Sequence, residues 1–566
     1  MKRICVLILL ALAAMLAHAQ DIAGDWQGTL DTGMGELHLV LHITKSPDGK
    51  LAATLDSVDQ HANGILVNSV SLKDSKLNLD VAAVHGTYEA TVAADGQSMK
   101  GTWTQGSALP LEFKRASATT AAAKTEPKPT QPSDIDGAWM GTLDTGAVKL
   151  RVVFHIVNTA DGLTATMDSP DQGMNALPTS SVSRDGATLK IEARKIGGTY
   201  EGKIAADRSS IDGTWSQGGG SLPLVLKPVK DKSELELKRP QNPVKPYPYR
   251  EEEVSYENKV QNVTLAATLT IPQGKGPFPV ALLITGSGPQ DRDESLLGHK
   301  PFLVLSDYLT RHGIAVLRAD DRGVGKSTGV FATATTADFA TDTEAGVAFL
   351  KTRSEVNPQK IGLIGHSEGG VIAPMVAARN KDVAFIVMMA GTGVPGDQVL
   401  PAQSEAIEVA MGKDPAEAAR SAAKEKEMLA LVESEKDETM LDKQLQERMK
   451  GEVPDAQIGM QIKQITSPWF RYFLTYDPAT ALRKVTCPVL AINGSLDKQV
   501  IPSQNLPAIR KALEEGGNKH FEADELPGLN HLFQTAKTGS PAEYAQTEET
   551  MSPVALEKIS NWILKQ

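Results

Sequence analysis

The apolar positions of this chain change their spacing along its length. Between residues 24 and 226 they alternate: Leu37, Leu39, Leu41 and Ile43 fall on one side of an extended segment, as do Leu150, Val152, Phe154 and Ile156. A period of two predicts half-buried strands, because successive side chains of a strand point to opposite faces. Beyond residue 250 the pattern shifts to short continuous apolar runs at 280–284, 314–317, 361–364, 385–389 and 487–492. Runs of that length predict strands covered on both faces, as in a parallel sheet. Helix-forming stretches intervene, at 371–378 and, highly charged, across 403–465 with 416–432 the plainest. An all-β first part therefore precedes a mixed α/β second part.

The first part is internally duplicated. Residues 24–113 and 137–226 are two copies of one unit. Gly24-Asp-Trp-Gln-Gly-Thr-Leu-Asp-Thr-Gly33 matches Gly137-Ala-Trp-Met-Gly-Thr-Leu-Asp-Thr-Gly146, and Gly101-Thr-Trp-Thr-Gln-Gly106 matches Gly213-Thr-Trp-Ser-Gln-Gly218. Four of the six tryptophans occupy these matched positions, which predicts that they build each module's core. Asp-Gly turns at 48–49, 95–96, 161–162 and 185–186 close short hairpins, so residues 20–115 and 135–228 are each expected to form a small antiparallel barrel or sandwich. Two copies are too few for a propeller or solenoid. The matched pairs Asp56-Ser57 and Asp168-Ser169, each followed by an Asp-Gln pair, read as turn caps, with a ligand-lining face as the other reading. For Trp26 and Trp139 the alternative to core burial is stacking on sugar rings, which would make the repeats a glycan-contacting module. Residues 116–134, rich in Ala, Thr, Lys and Pro, read as a solvated linker, and the proline-rich 229–250 as a stiffer one.

Lys2-Arg3, the apolar run Ile4–Leu16 and Ala17-His-Ala19 predict a signal peptide over residues 1–19, and hence a periplasmic or extracellular protein. That run is too short for a comfortable membrane span, and no later stretch is long enough to be one. Cys5 lies far from the cleavage site, so a lipid anchor is not supported, and once the peptide is removed only Cys487 remains for disulfide chemistry. The net charge of −11 disfavours nucleic acid or an anionic membrane as partner. No His/Cys/Asp cluster has metal-ligand spacing, so neither a metal nor another cofactor is expected. Nothing in the pattern speaks to oligomeric state.

Chemistry concentrates at residues 361–374. The apolar run 361–364 is followed at once by Gly365-His-Ser-Glu-Gly369 and then by an apolar helix former. A strand, Gly-x-Ser-x-Gly and a helix make a nucleophile elbow, in which a serine oxygen projects from a very sharp turn. Side chains at Gly365 and Gly369 would collide with neighbouring backbone, and the helix N-terminus supplies N–H groups where an oxyanion forms. Downstream, the run from Cys487 ends in a Gly-Ser turn and Asp497, and the strand expected at 521–526 ends in Pro527-Gly-Leu-Asn-His531. Ser367, Asp497 and His531 each sit just past the C-terminal end of an expected strand, where open α/β sheets place their sites. His520 lies at the wrong end of its strand, His366 points away from the serine oxygen, and Asp524 pairs or faces solvent. The chemistry implied is acyl transfer: Ser367 attacks, His531 takes its proton, and Asp497 holds the imidazole tautomer. The oxyanion would accept from the Glu368 N–H and from the loop at 284–289, with Ser287 as donor and Gly288 as the nearby alternative. A phosphate-loop reading of Asp320–Thr328 fails, since that motif needs glycine where Asp320 stands.

With these residues in place, residues 251–566 resemble the α/β-hydrolase superfamily, close to bacterial carboxylesterases of the esterase D type and to serine-aminopeptidase-like relatives. The matching stretches are Gly286–Asp293, Asp320–Ser327, the Gly-His-Ser-Glu-Gly-Gly elbow, Asn493–Asp497 and Pro527–His531, in the family's nucleophile–acid–histidine order. The resemblance implies a mostly parallel sheet with helices on both faces and a helical cap at about residues 398–480. It also implies that Asp320–Thr328 is a structural loop with Arg322 paired to carboxylates. In the aromatic segment 467–476, Trp469, Phe470 and Phe473 are expected either to line the substrate pocket or to pack the cap on the core. The leading expectation is an exported serine hydrolase acting on small-molecule carboxylic esters. A peptidase or amidase with the same triad is the first alternative. The second is a cell-wall polysaccharide-binding protein with ancillary deacetylase activity.

Overall fold

The computed structural model describes residues 22–566, apart from 32–35, 46–50, 58–61, 68, 74, 82–85, 94, 106, 116–131, 146–148, 160–161, 173, 232–233, 236, 452 and 454. The expected signal peptide, most of the first linker and the turn at 48–49 lie outside those residues, as does the Asp-Gln pair at 59–60. The chain divides into two compact units, Met1–Gln131 and Pro132–Gln566.

In the first unit, the described strands form one antiparallel sheet in which successive strands pair, except that Ala62–Val67 and Ser69–Lys73 stand at its two edges; the first strand, Gly24–Asp31, also pairs with the last, Ser107–Arg115. Joining first to last curls the sheet towards a barrel and leaves only two edge strands. The second unit opens with the same strand order, with Gly137–Asp144 between Lys149–Thr159 and Gly220–Pro228. Alternation fills each interior. Leu39, Leu41 and Ile43 point inward in one, Val152, Phe154 and Ile156 in the other. Trp26 and Trp139 are buried and donate their indole N–H to the carbonyls of Ile22 (2.9 Å) and Ile135 (2.8 Å). Neither offers a ring face to solvent, so the sugar-stacking reading of these two residues is not supported. Asp168 lies within the strand Gly162–Ser169, where its carboxylate bonds His155 at 2.7 Å and accepts the Ala176 N–H of the neighbouring strand at 2.6 Å.

The proline-rich stretch 229–250 carries polar ties to the region that follows. The Arg239 guanidinium donates to the carbonyls of Leu297 (2.8 Å), Ala545 (2.8 Å) and Thr547 (3.0 Å), and Gln241 donates to that of Met551.

The continuous apolar runs form one eight-stranded sheet. Its strands are β1 (Arg250–Asn258), β2 (Val263–Ile271), β3 (Phe278–Ile284), β4 (Ala315–Ala319), β5 (Val356–His366), β6 (Val383–Met389), β7 (Val489–Gly494) and β8 (Phe521–Leu526). The spatial order is β1-β2-β4-β3-β5-β6-β7-β8, with β3 to β8 parallel and β2 antiparallel to both neighbours. Both faces of the central strands are covered, which is why they are mostly apolar, whereas the edge strands β1 and β8 carry many polar residues. On one face Leu282, Leu363 and Ile386 pack under α2 (Thr336–Leu350), α3 (Gly369–Ala377) and α10 (Pro502–Glu515). On the other, Leu283, Ile364 and Val387 pack against α1 (Pro301–Arg311) and α11 (Pro553–Ile563).

Between β6 and β7 stands the expected helical cap: α4 (Gly396–Ala410), α5 (Pro415–Ser434), α6 (Glu438–Met449), α7 (Asp455–Ile465) and α8 (Pro468–Thr475), followed by the short α9 (Ala479–Leu482). Asp414, Asp437 and Ser467 cap α5, α6 and α8 with side-chain oxygens on backbone N–H groups. The cap has its own apolar centre, including Leu429, Leu441, Leu445 and Leu474. Among the described residues no helix is long and apolar enough to cross a membrane.

Candidate active site

β5 ends at His366 and α3 begins at Gly369, leaving Ser367 on a two-residue turn with φ +53°. A serine in the left-handed region is costly and is held there by its surroundings. Its N–H donates to the Met389 carbonyl at the end of β6 (2.8 Å). The flanking glycines are required by space: a Cβ at Gly365 would lie 1.9 Å from the Gly369 carbonyl oxygen, and one at Gly369 would lie 2.2 Å from that of Ile284.

Asp497 lies in the turn after β7, 1% exposed. Its Oδ1 accepts the N–H groups of Gln499 (2.8 Å) and Val500 (2.9 Å), and its Oδ2 accepts His531 Nδ1–H at 2.9 Å. His531 lies in the loop after β8, shaped by Asn530, whose Oδ1 accepts the N–H groups of Leu532 and Gln534. With its proton on Nδ1, the neutral ring presents a lone pair at Nε2. Among the described residues neither His531 Nε2 nor Ser367 Oγ has a hydrogen-bond partner. The structure thus brings Asp497 and His531 into contact, and the His366 ring, adjacent in sequence to Ser367, is centred 4.9 Å from the His531 ring.

The loop after β3 runs alongside the elbow, since a Cβ at Gly286 would lie 3.4 Å from Ser367 Cβ. The Gly286 N–H is occupied, donating to Glu294 Oε1 at 2.7 Å. The N–H groups of Ser287 and Glu368 have no acceptor among the described residues. Asp321 clamps both ends of this loop, accepting Thr285 Oγ1–H at 2.7 Å and Gln290 N–H at 2.9 Å. Burial pushes its carboxyl up to about 8, against the pull of those two donors. Neither Asp321 nor Glu294 stood out in the sequence, although both lie in or beside the stretches matched to the superfamily. The loop at 320–328 is structural: Asp320 accepts Arg292 in two bonds (2.9 and 2.7 Å), and Arg322 pairs with Asp342 at 2.7 Å, as the resemblance implied.

Three aromatic residues of α8 were candidates for the pocket. Trp469 and Phe473, one turn apart, stack with ring centroids 5.5 Å apart and planes within 2°. The Trp469 indole N–H donates to Glu368 Oε1 at 2.8 Å, an oxygen that also accepts Thr336 Oγ1–H at 2.7 Å. Phe473 faces a space of about 10 Å³ shared with Thr336, Glu368 and Tyr476. Phe470 is buried in the cap's own centre with Leu429, Leu445 and Leu474, against which Trp469 also packs. Burial holds the Glu368 carboxyl above its ordinary range. Of the rivals, His520 is exposed at the start of β8 and Asp524 pairs with Lys558 at 2.7 Å. Among the described residues no cluster of His, Cys, Asp and Glu is arranged to hold a metal ion.

Comparisons with known proteins meet this geometry. Residues 261–521 match the model of a family described as X-Pro dipeptidyl-peptidase (S15 family). The chain is 27% identical over 313 residues to "Esterase EstD" of Thermotoga maritima, covering 55% of this chain and 68% of that protein. Among solved structures it is similar to Est1E from Butyrivibrio proteoclasticus with ferulic acid bound (19% identity, TM-score 0.34, 55% of this chain and 98% of that one). It is also similar to the Pyrococcus furiosus esterase Pf2001 (15% identity, TM-score 0.36, 58% and 98%). The region from β1 onward is an α/β-hydrolase, and the protein is a hydrolytic enzyme.

Proposed function

We propose that this protein hydrolyses carboxylic esters of small molecules through a Ser367–His531–Asp497 triad and an acyl-enzyme intermediate. The observation that carries the reading is the bond from His531 Nδ1–H to a carboxylate already fixed by two backbone N–H groups. It sets the tautomer whose free Nε2 can take the Ser367 proton. Ser367 Oγ attacks the acyl carbon, and the oxyanion accepts from the N–H of Glu368, at the N-terminus of α3, and from that of Ser287 in the loop after β3. His531 returns the proton to the leaving alcohol, then activates water to release the acid. The relative named an esterase supports an ester substrate. The basic, apolar and Ala-x-Ala segments of residues 1–19 make export part of the proposal, checked by whether mature protein begins at Gln20.

The match to a peptidase family favours one second reading, cleavage of aminoacyl substrates. An aminopeptidase needs an acid free to bind the substrate amine. Glu368, next to Ser367 in the chain, is committed to Thr336 and Trp469. The test is a panel of aryl esters, acetylated sugars and aminoacyl anilides, with wild type and Ser367→Ala run in parallel. Aryl-ester turnover should fall on the order of 10⁵-fold in the variant. Wild-type rates from Ser367→Ala would overturn the triad, and turnover of anilides alone would select the peptidase.

A further inference from the structure

His366 has no role in the triad, yet it touches two of the loops that build the site. Its Nε2 lies 3.0 Å from the carbonyl oxygen of His531, and its Nδ1 lies 2.9 Å from Glu294 Oε1. That same carboxylate oxygen accepts the Gly286 N–H. Three segments distant in sequence are thereby tied together: the loop after β3, the elbow after β5 and the histidine loop after β8. Both side chains are interior, His366 6% and Glu294 7% exposed. Glu294 also holds a left-handed backbone, φ +52°, in a turn closed by its own N–H on the Asp291 carbonyl. A non-glycine residue accepts that cost where surrounding contacts over-determine it.

A carbonyl oxygen only accepts, so His366 Nε2 carries a proton. Glu294 Oε1 accepts the Gly286 N–H, and with that carboxylate ionised Nδ1 carries a proton too. His366 is then an imidazolium facing a carboxylate. Burial opposes that charge, but Glu294, the hydrogen bond to the His531 carbonyl and the more distant Asp497 carboxylate together raise its proton affinity above the ordinary histidine value. The other titratable group facing it is the His531 ring, 4.9 Å away between centroids, and the Phe533 ring stands edge-on at 6.4 Å.

We propose that Glu294 and His366 are a charged positioning pair, which holds the oxyanion loop and the His531 loop in register around Ser367 only while His366 keeps both ring protons. The inference rests on the triad reading above. It predicts an alkaline limb in the pH profile of turnover: activity falls as His366 loses its second ring proton.

The test uses the full chain with an aryl ester over a range of pH. Glu294→Gln should lower kcat about 10- to 100-fold with little change in KM, since misplaced catalytic groups cost rate more than binding. Its alkaline limb should move down by about one pH unit or more, because the imidazolium loses its counter-charge. His366→Gln, whose amide can still donate to the His531 carbonyl, should lose the alkaline limb and retain more activity than His366→Ala. A wild-type kcat in Glu294→Gln, or an unmoved alkaline limb in both variants, would overturn the proposal. Should the variants fail to fold, ¹⁵N resonances of histidine-labelled wild-type protein still decide: His366 must show two protonated ring nitrogens at neutral pH, and a neutral ring overturns the pair. That signal needs no turnover, so it remains decisive even if Ser367→Ala disproves the triad.

Discussion

Replacing Asp497 with asparagine removes one charge and almost no volume, and the structure says which way the new amide must turn. Two backbone N–H groups, from Gln499 and Val500, point at Oδ1 from 2.8 and 2.9 Å. An asparagine keeps both bonds only with its carbonyl oxygen at that position, which puts its NH₂ against His531 Nδ1. The flipped amide would face two buried donors with a donor and lose both bonds, at about 1–3 kcal/mol each. Even at 2 kcal/mol in total, the flipped form is held to about 3% of molecules. In the favoured form His531 Nδ1 must accept, so its proton moves to Nε2 and no lone pair faces Ser367. Tautomer preference alone then costs roughly 30-fold in kcat, and losing the carboxylate that stabilises the imidazolium brings the fall to the order of 10⁴. The fold should hardly notice, because the backbone bonds at Oδ1 survive. Initial rates on a saturating aryl ester, beside a thermal melt of the same samples, measure both quantities. If Asp497→Asn keeps more than about a tenth of wild-type kcat, the tautomer argument fails. If it melts far below wild type, the backbone bonds at Oδ1 are not being kept as described.

Three further perturbations probe the surroundings of the site. Arg322→Ala leaves the Asp342 carboxylate buried without its guanidinium and should destabilise the fold by about 3–5 kcal/mol in urea unfolding; a change below about 1 kcal/mol would show the pair to be dispensable. Trp469→Phe keeps the stack on Phe473 but removes the N–H donated to Glu368, so KM should rise and protease nicking within the cap should quicken; no change in either would mean that this bond does not hold the cap. Asp321 holds its proton to about pH 8 in the native state, whereas an exposed aspartate releases it near 3.8. Its contribution to stability is therefore fully present below about 3.8 and lost as the pH rises through about 8. Asp321→Asn should flatten the decline in unfolding free energy across that window, and identical slopes for variant and wild type would refute the assignment.

Much of the site was legible because its parts are local. Ser367 announces itself through two glycines whose necessity is a matter of the nearest backbone atoms, 1.9 and 2.2 Å from where a Cβ would stand. Asp497 and His531 were readable because each follows a short apolar run, and strand ends are where a parallel sheet delivers side chains to one edge. The aromatic segment was readable only in part. Its ten residues signalled burial, but only the fold decided that Trp469 reaches Glu368 in the elbow while Phe470 is buried in the cap's own centre. Glu294, Asp321 and the fastening role of Arg239 left no local sign, since each acts on groups far away in the chain.

The amino-acid order by itself determined the two architectures and the chemistry of the nucleophile. A period of two, continuous apolar runs and a glycine-flanked serine are set by side-chain geometry within a few residues of each position. Tertiary structure alone decided how the site is held and charged. His366 and Glu294 are 72 residues apart in sequence, and only the parallel sheet, by bringing the ends of β3 and β5 side by side, makes them a pair. Charge state, tautomer and the direction of a buried amide depend on which acceptor lies within three ångströms of a donor. Such contacts join segments distant in the chain, so they exist only after folding.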